Sequence, residues 1–232
     1  MRVDKFLANS GIGSRKEVKK LIKEKRVRLG DEIIKDPGKE VKDSDLVYLD
    51  NVPISYKKYV YIVMNKRAGV VSAVEDNIYQ TVVEELDDYL LSFKPFPVGR
   101  LDRDTTGLLI LTNDGDFSHN CMHPKRGVKK TYLALVDRDL EEKDVVKFQK
   151  GIFLEEENIR TKEAKLEILE DRLARVTITE GKYHQVKRMF KACEKNVIEL
   201  KRIKIGEYEL PEDLKLGDYR EVDRNSLDKI FE

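Results

Sequence analysis

Val98-Gly99-Arg100-Leu101-Asp102-Arg103-Asp104-Thr105-Thr106-Gly107-Leu108-Leu109-Ile110-Leu111-Thr112-Asn113-Asp114-Gly115-Asp116 decides how this chain folds. Residues 99–107 are largely polar and begin and end on glycine; residues 108–112 form an apolar run closed by Asn113-Asp114-Gly115. An apolar run of this length between turn residues predicts a buried strand. The polar part leads into that strand, so Asp102 is mounted on a rigid element, as a reactive group requires. The same aspartates could simply close turns by accepting backbone hydrogen bonds. The stretch alone leaves both readings open.

Working outward, residues 1–28 carry ten Lys/Arg against three acids, and residues 182–204 carry eight against two. Residues 137–171 carry twelve acids against seven bases. The total of 45 basic and 44 acidic residues gives a net charge of +1, which hides this segregation. Separated charge suits a protein that binds a polyanion on chosen surfaces. Two cysteines and three histidines show no metal-ligand spacing, so no metal and no cofactor are expected. His119, Cys121 and His123 alternate as though along one face of a strand, but no further ligand cluster accompanies them. No membrane-spanning run or targeting segment is read, so a cytoplasmic location without a membrane partner is expected.

At the N-terminus, Ser14-Arg15-Lys16-Glu17 reads as a capping box opening a helix over about 15–25. Val18, Leu21 and Ile22 face inward; Lys16, Lys19, Lys20 and Lys23 fall on the other side at helical spacing. Short strands follow at Val27–Leu29, Ile33–Ile34 and Val47–Leu49, completing a helix–helix–strand module over residues 1–50. A lysine stripe beside Arg15 suits phosphate contact, which gives position and affinity and not sequence reading. Residues 51–58 are polar and read as a linker. A second domain over 59–232 opens on the β-prone run Tyr59–Met64, with a turn at 65–69 and a strand again at 70–72. Residues 79–91 read as an acidic amphipathic helix and 116–122 as a helix. Strands are expected at 131–136, 165–169, 172–179 and 197–205, with a helix over 140–150 and a turn leading into a helix within 180–190. Strands outnumber helices and no Gly-rich nucleotide loop is present, so the fold is α+β: a mixed, largely antiparallel sheet with flanking helices.

The N-terminal module resembles the S4 RNA-binding domain through Arg2-Val3-Asp4-Lys5-Phe6-Leu7, Gly13-Ser14-Arg15-Lys16-Glu17 and Val27-Arg28-Leu29-Gly30. The second domain resembles pseudouridine synthases of the subfamily that carries an S4 domain and modifies ribosomal RNA. The matching stretches are Met64–Ser72, Gly99–Asp102 with Thr105–Leu109, Lys130-Thr131-Tyr132, and Glu180–Phe190. Arg67 stands where the family has proline. Length and the S4 module are most similar to the small-subunit (16S) members, which implies the uridine-516 site of 16S RNA, met by a monomer within a small-subunit assembly intermediate. The large-subunit (23S) enzymes and a catalytically silent RNA-binding assembly factor are the alternatives. The resemblance implies Asp102 as catalytic carboxylate, Lys187 as the cation that keeps it ionised and oriented, and Tyr132 as the ring that stacks on the base. Charge placement then adds the basic segments 125–130 and 182–204 to the RNA contacts, with Lys129, Lys130, His184, Gln185 and Arg188 beside Arg15 and the helical lysines, and Arg100 points to the same side as Asp102 if the segment is extended. Asp104 and Asp114 are assigned to the turns on either side of the strand.

Overall fold

A computed structural model describes residues 1–42, 44–54, 56–155 and 158–232. The chain divides into two compact units, residues 1–60 with 86–95 and residues 61–85 with 96–232.

In the first unit, α1 (Val3–Asn9) and α2 (Arg15–Lys23) lie over a sheet of β1 (Val27–Leu29), β2 (Glu32–Ile33), β3 (Val47–Leu49) and β4 (Val52–Ile54), ordered β2-β1-β3-β4. Val3, Phe6, Leu7, Val18, Ile22, Val27 and Val47 form its core. The capping box is present: the Glu17 backbone N–H donates to Ser14 Oγ at 3.3 Å, and Glu17 Oε2 accepts from the Ser14 backbone at 2.8 Å. The expected linker at 51–58 is in part a strand, since Val52–Ile54 pairs with Val47–Leu49. Asp50 and Asn51 both adopt positive φ (49° and 68°), which a two-residue primed hairpin turn needs. Ser55, in the same expected linker, lies outside the described residues. The helix expected over 79–91 is reduced to α3 (Asp88–Ser92), capped by Asp87 and grouped with the first unit. Its first turns cannot wind because their backbone is committed elsewhere. Gln80 O accepts from Val71, and Val82 donates to Val71 O. Thr81 and Glu84 exchange side-chain and backbone hydrogen bonds. The strand expected at 70–72 is accordingly a single bridge, Val71 to Thr81.

The second unit is built on a nine-stranded sheet. In chain order its strands are β5 (Tyr61–Lys66), β6 (Phe96–Pro97), β7 (Thr106–Thr112) and β8 (Lys130–Val136). After the separate pair β9 (Phe153–Leu154) and β10 (Ile159–Arg160) come β11 (Lys165–Glu170), β12 (Leu173–Ile178), β13 (Val197–Ile205), β14 (Tyr208–Glu209) and β15 (Tyr219–Glu221). The order is β11-β12-β8-β13-β7-β5-β15, with β6 on β7 and β14 on β13. Only the β13–β7 pairing is parallel among those described, so the sheet is mixed and largely antiparallel. The apolar run at 108–111 is fully buried in β7. Helices α4 (Gly115–Met122), α5 (Glu142–Gln149) and α6 (Gln185–Lys191) flank the sheet. His119 and Cys121 sit on α4 and not on a strand, because Asp114 caps a helix there by accepting from the Phe117 backbone at 3.0 Å. Asn65 and Lys66, expected in a turn, complete β5.

One lateral row of the sheet positions the site. Lys66 pairs with Gly107, Gly107 with Arg202, Arg202 with Tyr132, and Tyr132 with Val176. Paired residues present their side chains to the same face of a sheet. Lys66, Arg202 and Tyr132 therefore share one face, with Lys66 and Tyr132 three strand spacings, about 14 Å, apart. Gly107 makes this row possible. Its φ is +99°, and a Cβ there would lie 2.2 Å from Arg202 O. Strain and overlap both oppose a side chain, so Gly107→Ala is expected to cost roughly 2–4 kcal/mol, read as a lower urea midpoint at unchanged m-value.

Candidate active site

The loop before β7 is fixed from β5 and the segment that follows it. Lys66 is fully buried, and its Nζ lies 3.0 Å from Asp102 O, 3.2 Å from Arg103 O, 2.8 Å from Thr105 O and 3.1 Å from Arg67 O. Ser72 Oγ donates to Leu101 O and accepts from the Leu101 backbone, each at 3.0 Å. The Gly69 backbone donates to Arg103 O at 2.8 Å. The motif at 64–72 is thus a cradle for residues 101–105. Arg67, at the family's proline position, ties the turn by side-chain contacts instead, to Glu85 Oε1 at 2.6 Å and Gln80 Oε1 at 2.9 Å.

On this loop the Asp102 carboxylate is held from α6. Lys187 Nζ lies 3.2 Å from Asp102 Oδ2, and His184 Nε2 lies 3.5 Å from Oδ1. The ammonium is shared: it is also 2.5 Å from Asp104 Oδ1. Burial opposes ionisation of Asp104, but the Lys187 hydrogen bond and charge outweigh it and hold its carboxyl below the ordinary carboxylate range. Asp104 therefore belongs to the ion cluster and not merely to a turn. Asp114 does serve a turn, capping α4 and accepting from Tyr61 O–H at 2.6 Å. His184 occupies the left-handed region at φ 47°, an uncommon state for a residue with a side chain. Strain of this sort persists where the surroundings over-determine it. Here it directs the imidazole toward Asp102 at the start of α6.

The remaining expected site residues divide. Lys16, Lys19, Lys20 and Lys23 are exposed along α2, and Arg100 is exposed before the loop. Arg15 instead donates from Nη2 to both oxygens of buried Asp4 at 3.0 Å, so its first task is structural. Tyr132 is buried on the sheet face it shares with Lys66, and among the described residues no hydrogen bond joins it to Asp102. Lys130, expected in an RNA-facing basic loop, is only 7% exposed and donates to Val128 O at 3.2 Å. Burial, then the charge of Arg202, lowers its pKa. Lys129 is exposed but lines a cavity of about 910 Å³ with Thr131 and Thr177. These residues alternate with Lys130 and Tyr132 along the strands and occupy the other face of the sheet. Gln185 is buried: its side-chain oxygen accepts from the Lys182 backbone and its Nε2 donates to Glu180 Oε1, both at 2.8 Å, which shapes the turn that presents His184. Arg188 donates to Tyr183 O at 3.3 Å.

Sequence reasoning missed Lys66, Ser72 and Arg202. Lys66 and Ser72 lie inside a quoted motif and were legible only as a turn and strand. Arg202 is buried between Gly107 and Tyr132, donates from Nε to Leu108 O at 2.8 Å, and leaves Nη2 without a partner among the described residues.

Burial lowers the Lys66 pKa from the usual 10.5 to about 8. Above that pH the ammonium sheds a proton, leaving fewer donors for the Asp102 loop. The unfolded chain keeps its proton up to 10.5, so between about 8 and 10.5 rising pH favours folding at this group. An alkaline fall in kcat centred near pH 8, with no loss of thermal stability, is the expected signature. Lys66→Met should lower kcat roughly 10- to 100-fold while leaving the RNA dissociation constant within about twofold, measured by single-turnover assay and filter binding.

The sequence pattern of RNA pseudouridylate synthases matches residues 60–192, and that of the S4 domain matches residues 1–47. An uncharacterized RNA pseudouridine synthase of Bacillus subtilis is 42% identical, covering 100% of this chain and 99% of its own. The ribosomal small subunit pseudouridine synthase A of Haemophilus influenzae is 38% identical over 99% of each chain. A crystal structure of a pseudouridylate synthase superposes with a TM-score of 0.70 at 38% identity, again over 99% of each chain. With the loop, ion cluster and sheet row described above, these likenesses place the chain in the RNA pseudouridylate synthase family: it is a pseudouridine synthase acting on RNA, with an S4 domain at its N-terminus.

Proposed function

We propose that this enzyme isomerises one uridine of 16S ribosomal RNA, at the uridine-516 site, with Asp102 as the carboxylate that acts on the nucleoside. The observation that carries this reading is the placement of Asp102. Its backbone is gripped by Lys66, and its two carboxylate oxygens are addressed by Lys187 at 3.2 Å and His184 at 3.5 Å. Fixed direction is what a carboxylate needs to attack an electrophilic carbon or to take a proton. In the reaction the N1–C1′ bond breaks, the uracil turns within the pocket, a C5–C1′ bond forms, the proton at C5 leaves, and N1 takes up a proton. No atoms are gained or lost overall. A uridine stacked in RNA must leave its stack to reach Asp102. Tyr132, on the sheet face shared with Lys66, is assigned to stack on the uracil, and the α2 lysines to hold phosphates of the surrounding RNA. The likeness to the Haemophilus influenzae small-subunit enzyme extends through the S4 module as well as the catalytic unit, which favours a small-subunit substrate. Action as a monomer in the cytoplasm, on an assembling small subunit, accords with this assignment.

Pseudouridine mapping on ribosomal RNA from cells lacking the protein tests the substrate. A single 16S site should vanish, return with wild type, and stay absent with Asp102→Asn, whose turnover should be lower by at least roughly 10³-fold. A missing 23S site, or rescue by Asp102→Asn, would refute the assignment. Replacing Lys16, Lys19, Lys20 and Lys23 by Gln should weaken RNA binding and flatten its log–log salt dependence by roughly 3. An unchanged slope would remove the α2 lysines from the RNA contact.

A further inference from the structure

Two exposed ring pairs are tethered to Asp102, and their tyrosines, Tyr79 and Tyr183, take no part in the chemistry assigned above. In the first, the Arg103 guanidinium lies 4.2 Å from the ring centre of Tyr79. In the second, the Tyr183 and His184 rings are stacked, 3.8 Å between centres and 20° between planes. Tyr79 is 41% exposed and Tyr183 73% exposed. Large aromatic rings held in fixed orientation at the surface are what single-stranded RNA uses as stacking platforms, and an arginine adds a cation–π contribution.

Both pairs are coupled to the reacting carboxylate by covalent or direct contacts. Arg103 follows Asp102 in the chain, and its carbonyl is held by Lys66 and Gly69. His184 is the residue whose Nε2 faces Asp102 at 3.5 Å. The segment bearing Tyr79 is itself braced. Asp76 Oδ1 accepts from the backbones of Ile78 and Tyr79 at 2.9 and 2.8 Å, and Arg67 holds Gln80. Val74 and Ile78 beside Tyr79 are also exposed, giving apolar surface with no use in a solvated loop but ready use against bases. Arg100, exposed before the loop, supplies positive charge for the backbone between.

We propose that these pairs are stacking seats for the nucleotides flanking the target uridine: one neighbour on Tyr79–Arg103, the other on Tyr183–His184. Flipping a base out of a helix removes a stacking partner from each neighbour. A ring linked to Asp102 through Arg103 and another through His184 return that stacking and lower the cost of extruding the uridine. The seats also select for RNA whose neighbours can reach both rings at once. This inference rests on Asp102 being the group that meets the flipped nucleoside.

The test uses the full-length enzyme and a short RNA spanning the uridine that wild type modifies, with 2-aminopurine placed on one side of it or the other. Tyr79→Leu and Tyr183→Leu are each expected to lose fluorescence quenching at one flanking position and to lower kcat/KM by about 5- to 100-fold, mainly through KM. Tyr79→Phe and Tyr183→Phe, which keep the ring, should retain both within about twofold. Leucine variants that keep quenching and kcat/KM would overturn the proposal, as would phenylalanine variants that fall as far as leucine. Asp102→Asn in the same assay should keep quenching and lose product. Product formation by that variant would instead refute the assignment of Asp102, without bearing on the seats.

Discussion

The placement of the Asp102 loop depends on one buried ammonium. An isolated charge taken out of water costs several kcal/mol unless other groups replace its hydration. Lys66 finds that replacement in the carbonyls of Arg67, Asp102, Arg103 and Thr105. The dependence runs both ways. The loop has no regular hydrogen-bond ladder of its own between Arg100 and Thr105, so its carbonyls need a donor. The ammonium needs acceptors. β5 is in place through its six register pairs with β7, and the Asp102 loop is fixed against it by the Lys66 ammonium, from which the carboxylate inherits its position.

How much of this was legible follows from which signals are local. The buried strand after Gly107, the capping box at Ser14 and the helix after His184 are short-range patterns of apolarity and turn chemistry, and the structure places them where the pattern does. The pairing of Lys187 with Asp102 spans 85 positions of sequence and became legible only through family resemblance. The misreadings have one origin. At 79–86 a helical apolar spacing gave way because Val71, more than eight residues upstream, claimed the backbone of Gln80 and Val82. At the start of the expected linker, Asp50 and Asn51 take the positive φ that a primed hairpin turn needs and so pair Val52–Ile54 with Val47–Leu49. Arg15, Lys130 and Gln185 were read as RNA contacts from charge or motif alone. Each also makes a hydrogen bond within the protein, to Asp4, to Val128 and to Glu180, with Arg15 still exposed and Lys130 and Gln185 buried. Charge in a sequence does not reveal whether its partner is internal.

The ion cluster shows why one lysine can serve two aspartates without neutralising the site. Lys187 approaches Asp104 more closely than Asp102, 2.5 against 3.2 Å, and Asp104 is much the more exposed. An exposed pair is weakened by solvent and contributes little on its own. The less exposed contact to Asp102 is screened less. Asp104 thus steadies the ammonium at the rim while Asp102, turned inward, keeps one oxygen toward Lys187 and the other toward His184.

The row Lys66–Gly107–Arg202–Tyr132 carries this logic across the sheet. A glycine in its second place brings β13 close enough for the Arg202 backbone to contact the Cα of Gly107, and a side chain there would hold the strands apart. The closeness lets Arg202 Nε reach Leu108 O on β7. The arginine is thereby anchored at one end, with Nη2 still unpartnered among the described residues and Tyr132 as its lateral neighbour. A buried N–H without an acceptor is costly to maintain and is tolerated where something else makes use of it. The same row that holds the Asp102 loop through Lys66 at one end carries Arg202 two strands away and Tyr132 three strands away on the same face.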